Sequence, residues 1–230
     1  VRDLLKEQGY SKQLAEWYIL PMVAAIWSTP EEKMLDFPAE TFLTFFLNHK
    51  LLQVNDRPQW KTVKNGSKNY VQKIAERLEN IHLGEAVKLV QKHDNHVKLV
   101  SNEREYLFDK VVFATQPSLT RKIYKTEHAD VMNVLNCFQT VQNHAYLHQD
   151  ISFMPNNKKC WASWCVQANY NTEHQQDVSL TYYLNRLQPL KTKQDLFLTL
   201  NPTREPQNTL MKVQYGHPLF NQQAIDAQAR

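Results

Sequence analysis

Apolar residues recur every three to four positions through "RDLLKEQGYSKQLAEWYILPMVAAIWS", the period of a helix with one buried stripe. Ser11 is placed as an N-cap, and Pro21 as a kink or boundary. After Pro38 the stretch "PAETFLTFFLNHKLL" repeats the pattern. Between them these stretches carry Trp17, Tyr18, Trp27, Phe42, Phe45 and Phe46, which read first as core and second as the wall of a substrate pocket. Gly66 and Ser67 then open a third helix, "SKNYVQKIAERL", with Ser67 as its N-cap candidate and Tyr70, Val71, Ile74 and Leu78 along one face.

The period then changes from helical to strand-like. Short strands are predicted at "IHL", "AVKLVQKH", "HVKLV", "EYLF" and "KVVFAT". Alternation in "VKLV" and "EYLF" wets one face, whereas the unbroken "VVFA" predicts a strand buried on both faces. Pro117 ends it, and "SLTRKIYKTEHADVMNVLNCF" is helical again. Turn-punctuated segments follow at "TVQNHAYLHQD", "KKCWASWCVQA", "VSLTYYLNRLQ", "LFLTLNP" and "LMKVQYGHP", predicting an antiparallel or mixed sheet of about five strands. The terminal "NQQAIDAQAR" begins a helix. The fold class is therefore α+β: a mixed or antiparallel sheet flanked by helices, with a smaller ribbon-and-helix portion.

Composition narrows the picture. At 230 residues and 42% hydrophobic, the chain can bury a core of its own. Its 27 basic and 23 acidic residues give a net +4 spread along the sequence, a solubility charge and not a nucleic-acid footprint. Cys137, Cys160 and Cys165 form no C-x-x-C pair and fit a reduced, cytoplasmic protein. No apolar run approaches the ~20 residues that cross a bilayer, and "VRDLLKEQGY" is not a signal peptide. With no initiator Met, the chain reads as a piece of a longer one.

A likeness enters with "WKTVKNGSKNYVQKIAERLENIHLGEAVKLVQKHDNHVKLVSNEREYLFDKVVFATQP", which resembles the central part of flavin-containing amine oxidases and the related phytoene-desaturase type. In that family a G-G-x turn and helix precede a strand, a valine contact, an antiparallel ribbon and a D-x-V-V-x-A-T strand. The ordered blocks "LPMVAAIWS", "FFLNHKLL", "RPQWKTVKNGSKNYV", "WASW", "YYLNRLQPL", "TLNP" and "HPLF" are similar, more narrowly, to a bacterial group of predicted NAD/FAD-binding proteins. The resemblance implies three portions: 1–56 as the helical first part of a substrate domain, 57–117 as the central part of an FAD-binding domain, and 118–230 as the second part of the substrate domain. It also implies FAD as cofactor of the intact protein. Only four glycines are present, Gly9, Gly66, Gly84 and Gly216, so the G-x-G-x-x-G cradle for the pyrophosphate is not in this sequence and the chain alone is expected not to retain FAD.

Residue by residue, the likeness implies cofactor contacts at Gly66, Ser67, Val87, Ala114 and Thr115. Val87 matches a valine whose backbone clamps the adenine, a plain strand valine being the alternative. Ala114 and Thr115 match the strand end beneath the dinucleotide. Gly66 and Ser67 match the G-G-x turn, with Asn65 replacing the first glycine and tolerating positive φ. The family's lysine near the flavin would fall at Asn143 or His144, and "TVQNHAYLHQD" contains no lysine, which puts amine oxidation in doubt and leaves catalytic residues unassigned.

Asn143, His144, Trp164, Asn185 and Arg186 are the candidates for substrate contact. Trp161 and Trp164 should fall on opposite faces of a regular strand. Arg186, in an apolar setting, needs a partner, either a substrate carboxylate or a structural one. His144 and His148 stand four apart on a strand, roughly 13 Å, too far to share a metal, and no metal site is expected.

The reading that follows is a fragment of an FAD-dependent oxidoreductase, moving hydride from a hydrophobic or lipid-like substrate to flavin N5. A non-catalytic lipid- or protein-binding module on the same platform is the alternative. Peripheral membrane contact and a homodimer through an exposed apolar face are the further partner expectations.

Overall fold

The computed structural model describes residues 1–27, 35, 37–53, 55–170, 176–219 and 221–229, with 168–170 and 176–178 described by their backbone alone. Ser28 and Phe220, at the ends of two of the family-like blocks, lie outside the described residues. The architecture is mixed α+β, with two sheets and flanking helices. Two compact units each draw on two stretches of chain: Val1–Asn69 with Val141–His217, and Tyr70–Thr140 with Pro218–Arg230.

In the first unit, α1 (Arg2–Glu7) precedes a continuous helical run made of α2 (Lys12–Leu14), a π turn (Ala15–Ile19) and α3 (Leu20–Trp27). Ser11 caps the run, its Oγ accepting the Leu14 N–H at 3.1 Å. Pro21 neither ends nor breaks the helix. The π turn lies immediately before it, with Leu20 N–H bonded five residues back to Ala15 C=O. The extra residue in this turn shifts the apolar stripe, and Trp17 and Tyr18 emerge 73% and 40% exposed instead of joining the core. Trp27 is buried; its ring lies 4.6 Å from Phe37 and 4.9 Å from Phe45 of α4 (Ala39–Asn48), where Phe42 and Phe46 are also buried.

The five-stranded sheet of this unit has the order β6-β7-β8-β5-β9, from β5 (Thr140–His148), β6 (Trp164–Tyr170), β7 (Gln176–Tyr183), β8 (Phe197–Leu200) and β9 (Thr209–Pro218). Register divides its faces. One carries Ala145, Leu180 and Leu200 packed with Ala25 of α3, bordered by Trp164, Tyr182, Leu198 and Tyr215. The other carries His148, Thr181, Thr199, Cys165 and Phe197, covered by Met154 and Trp161. Trp161 and Trp164 thus pack on opposite faces, although Trp161 follows a short 3-10 turn and only Trp164 belongs to β6.

The second unit holds a four-stranded sheet, β3-β2-β1-β4. β1 (Val87–Lys92), β2 (Val97–Ser101) and β3 (Glu105–Phe108) form an antiparallel ribbon, and β4 (Tyr124–Lys125) runs parallel to β1. α5 (Lys68–Ala75) carries the chain into this unit. α6 (Pro117–Ile123) and α7 (Ala129–Cys137) are stapled by Arg121, whose Nη1 donates to Leu135 C=O at 2.7 Å. Both helices belong to the second unit. α9 (Gln222–Ala227) is capped by Asn221, whose Oδ1 accepts from Ala224 N–H.

Three expected strands are corrected. "IHL" forms none, and Leu83 is 90% exposed. "KVVFAT" was expected to be a strand buried on both faces, but 110–115 lies outside any ladder and Val112 is 91% exposed. An apolar strand of that kind needs a neighbour on each edge, and no strand among the described residues pairs with it. "VSLTYYLNRLQ" stops being a strand at Tyr183, and Asn185 and Arg186 sit on the single turn α8 (Leu184–Leu187).

Candidate functional site

The predicted cofactor residues are distributed along the turn before α5, the ribbon and the loop before α6. Asn65 and Gly66 both take positive φ, 65° and 84°, and the Gly66 N–H closes the turn on Val63 C=O at 2.9 Å. Ser67 follows, exposed, at the threshold of α5. Ala114 and Thr115 lie in the exposed loop leading to α6, where the Thr115 and Thr120 hydroxyls are 2.8 Å apart.

Val87 opens β1 opposite Ser101, and the register slips between Val87 and Leu89, leaving Lys88 in a bulge. The Asn102 N–H bonds to Ala86 C=O, so the backbone of Ala86 faces β2. By alternation the N–H and C=O of Val87 face the other way, toward the edge where β4 pairs only with Val90 and Gln91.

Beside Val87 lies a cluster that periodicity did not single out. Glu85 accepts from Ser101 Oγ at 2.6 Å and from the Tyr106 hydroxyl at 2.8 and 2.9 Å, and its carboxylate is 3.5 Å from Arg104 Nε. Arg104 also donates to the Tyr106 hydroxyl and reaches His82 Nδ1 at 3.0 Å. The hydrogen bond from Ser101, then that from Tyr106, holds the Glu85 carboxyl below the usual carboxylate range. In sequence these are scattered polar residues of a ribbon. Only register, which sets Ser101 opposite Val87, joins them.

In the first unit, Asn143 and His144 of β5 meet one residue, Asn201. The His144 N–H donates to Asn201 Oδ1 at 2.9 Å, and Asn201 Nδ2 donates to Asn143 Oδ1 at 2.8 Å. The backbone donor thus fixes the orientation of the first amide, and that amide fixes the second. Asn201 adopts φ 46°, which asparagine tolerates better than most residues, and its own N–H bonds to His144 C=O. Asn143 is fully buried and alternates onto the face of Ala145 and Trp164, whereas the His144 side chain belongs to the opposite face and is exposed.

Trp164 meets Tyr182 edge-on at 5.8 Å. Asn185 accepts from Leu196 N–H and donates to Thr192 Oγ1, both at 2.7 Å, and Arg186 Nη1 donates to Trp161 C=O at 2.5 Å. Asn143, Trp164 and Tyr182 therefore share a face, with Asn185 and Arg186 tied into the loops beyond it. Asn201 stands in "TLNP", one of the family-like blocks, and only the fold brings it to Asn143 and His144.

No family model matches this chain, and neither does any curated protein. Its fold is similar to those of solved structures. A protein described as a candidate protoporphyrinogen oxidase from Exiguobacterium sp. 255-15 has a TM-score of 0.60 at 12% identity, over 94% of this chain and 55% of that one. A CLA-producing fatty acid isomerase from P. acnes has a TM-score of 0.59 at 11% identity, over 93% and 53%. A putrescine oxidase variant redesigned in cofactor binding has a TM-score of 0.55 at 12% identity, over 98% and 45%. The chain spans about half the length of the structures it resembles.

Proposed function

We propose that this chain is the central portion of an FAD-dependent oxidoreductase of the flavin amine-oxidase type, acting on a hydrophobic or lipid-like substrate. The observation that carries this reading is that 93–98% of the chain shares its fold with about half of three larger proteins, two of them named as oxidases and one as an isomerase. Identity of 11–12% makes that a likeness of fold, so the chemistry is argued from the residues present.

Those residues fit part of the cofactor. The outward peptide edge at Val87 offers one donor and one acceptor, the complement of an adenine edge. The pyrophosphate cradle is not matched: the four glycines stand apart in sequence, and among the described residues no strand ends in a glycine-rich turn opening a helix. No reaction step is therefore assigned to residues of this chain. Bound flavin would supply the two-electron acceptor.

The contribution assigned to the chain is substrate placement. Beside the packed core of Ala145, Leu180 and Leu200, the partly exposed Trp164, Tyr182 and Tyr215 supply an aromatic wall, and the oriented amide of Asn143 is a buried polar group on the same face. With neither lysine nor carboxylate in the Thr140–His148 strand, desaturation or isomerisation of an apolar chain suits it better than amine oxidation. The test is anaerobic mixing of the full-length flavoprotein with a long-chain unsaturated fatty acid and, separately, with a diamine. Bleaching of the flavin band, or a positional isomer in the product, with the fatty acid alone supports the reading. Bleaching by the diamine alone overturns its substrate class.

A further inference from the structure

We infer that Glu85 is a positioning residue for nucleotide recognition, locking the ribbon so that the peptide edge of Val87 stays open and correctly aimed. The inference rests on the reading that this edge meets the adenine of a flavin nucleotide.

A bulge at Lys88 leaves one residue outside the ladder and frees the strand start to twist. Upstream of Val87 the chain is irregular and passes through Gly84 at φ 73°, so the helix side provides no restraint. What holds Val87 is therefore its partner strand. Ser101, its register partner, is 6% exposed and is bonded through Oγ to Glu85 Oε1. The same Oγ accepts the N–H groups of Glu103 and Arg104 at 3.1 and 3.0 Å, fixing the turn into β3. Tyr106 on β3 closes the latch from the next strand. One carboxylate thus ties the residue two before Val87 to the residue opposite it and to the strand beyond.

These partners converge on the residues around Val87. The arrangement keeps an unpaired donor and acceptor edge in register, the quality needed to read a base by hydrogen-bond pattern. Adenine offers an amino donor beside a ring-nitrogen acceptor. Hypoxanthine reverses both, offering a carbonyl acceptor beside an N–H donor. A peptide edge held rigidly distinguishes them, and a loose one does not.

The experiment measures dissociation constants of FAD and of the deaminated dinucleotide, which carries hypoxanthine, for the full-length apoprotein, its Glu85→Gln variant and its Tyr106→Phe variant. The wild type should prefer FAD by about tenfold or more, and Glu85→Gln should bring the ratio toward one. Tyr106→Phe, which preserves the ring and tests the latch should Glu85→Gln fail to fold, should lower it in the same direction. Equal weakening of both ligands with an unchanged ratio marks a purely structural role and overturns the inference. So does a wild type without preference. A wild type that binds neither dinucleotide fails differently: it removes the flavin reading itself.

Discussion

His148 Nε2 lies 2.7 Å from Oγ1 of Thr199, at the centre of a fully buried polar chain running across the first unit's sheet. The Asp150 N–H donates to His148 Nδ1, so the ring proton resides on Nε2 and is donated to Thr199, whose hydroxyl lies 2.8 Å from that of Thr181. The ring is thus neutral. Desolvation lowers its pKa from 6.5 to about 4, against the attraction of Asp150 and with the repulsion of Arg204.

The unfolded chain takes up a proton near pH 6.5 and the folded chain only near 4, so stability is complete above 6.5 and falls as pH drops through that window. The His148 contribution to this loss is about 3 kcal/mol. Urea unfolding of the wild type and of His148→Gln at pH 7.5 and 4.5 should show a markedly smaller pH effect in the variant.

Asp150 is a second buried anchor. Burial raises its pKa, but hydrogen bonds from Ser152, the Gln207 N–H and the Ser152 N–H, together with Arg204, outweigh that and bring it to about 2. Its contribution is present above pH 3.8 and lost as pH falls toward 2. Asp150→Ala should cost about 2–4 kcal/mol, since it strands these donors, and Arg204→Ala less because half of that side chain is in water. Denaturation midpoints measure both.

At the turn before α5, a Cβ on Gly66 would meet nothing within 4 Å, so only its φ of 84° opposes a side chain. Gly66→Ala should destabilise by about 1 kcal/mol through the backbone alone. Asn65→Gly, at φ 65°, should leave stability nearly unchanged. Melting curves of the two variants should diverge accordingly.

The second unit exposes Val71 and Ile74 of α5 together with Leu78, Leu83 and Val112, between 53% and 91% each. Apolar exposure on this scale favours association. Sedimentation of the 230-residue chain should show self-association at high concentration, reduced by Val71→Lys with Ile74→Glu. A monodisperse wild-type monomer would remove that expectation.

The sequence carried most of the architecture. Period two marked β1, β2 and β3, β-rich segments between turns marked the five-stranded sheet, and period 3.6 marked the longer helices, because the periodic patterns arise from which face is buried. It failed where the outcome depends on partners. "VVFA" reads as a buried strand from composition alone, yet pairing requires neighbours that no stretch of sequence reveals by itself. Trp17 and Tyr18 left the core because a π turn before Pro21 rotated the stripe. At the site, Val87 and Asn143 were named through family likeness, whereas Glu85 and Asn201 emerged only from three-dimensional register and hydrogen bonding.

The proposed flavoprotein reading, with no G-x-G-x-x-G cradle in these 230 residues, is open to a simple optical test. The most direct measurement is the visible spectrum, after addition of FAD and removal of the excess, of the 230-residue chain and of the protein extended into its flanking reading frame. The chain is expected to stay colourless and the extended protein to be yellow. A yellow chain, or an extended protein that stays colourless, would contradict that reading.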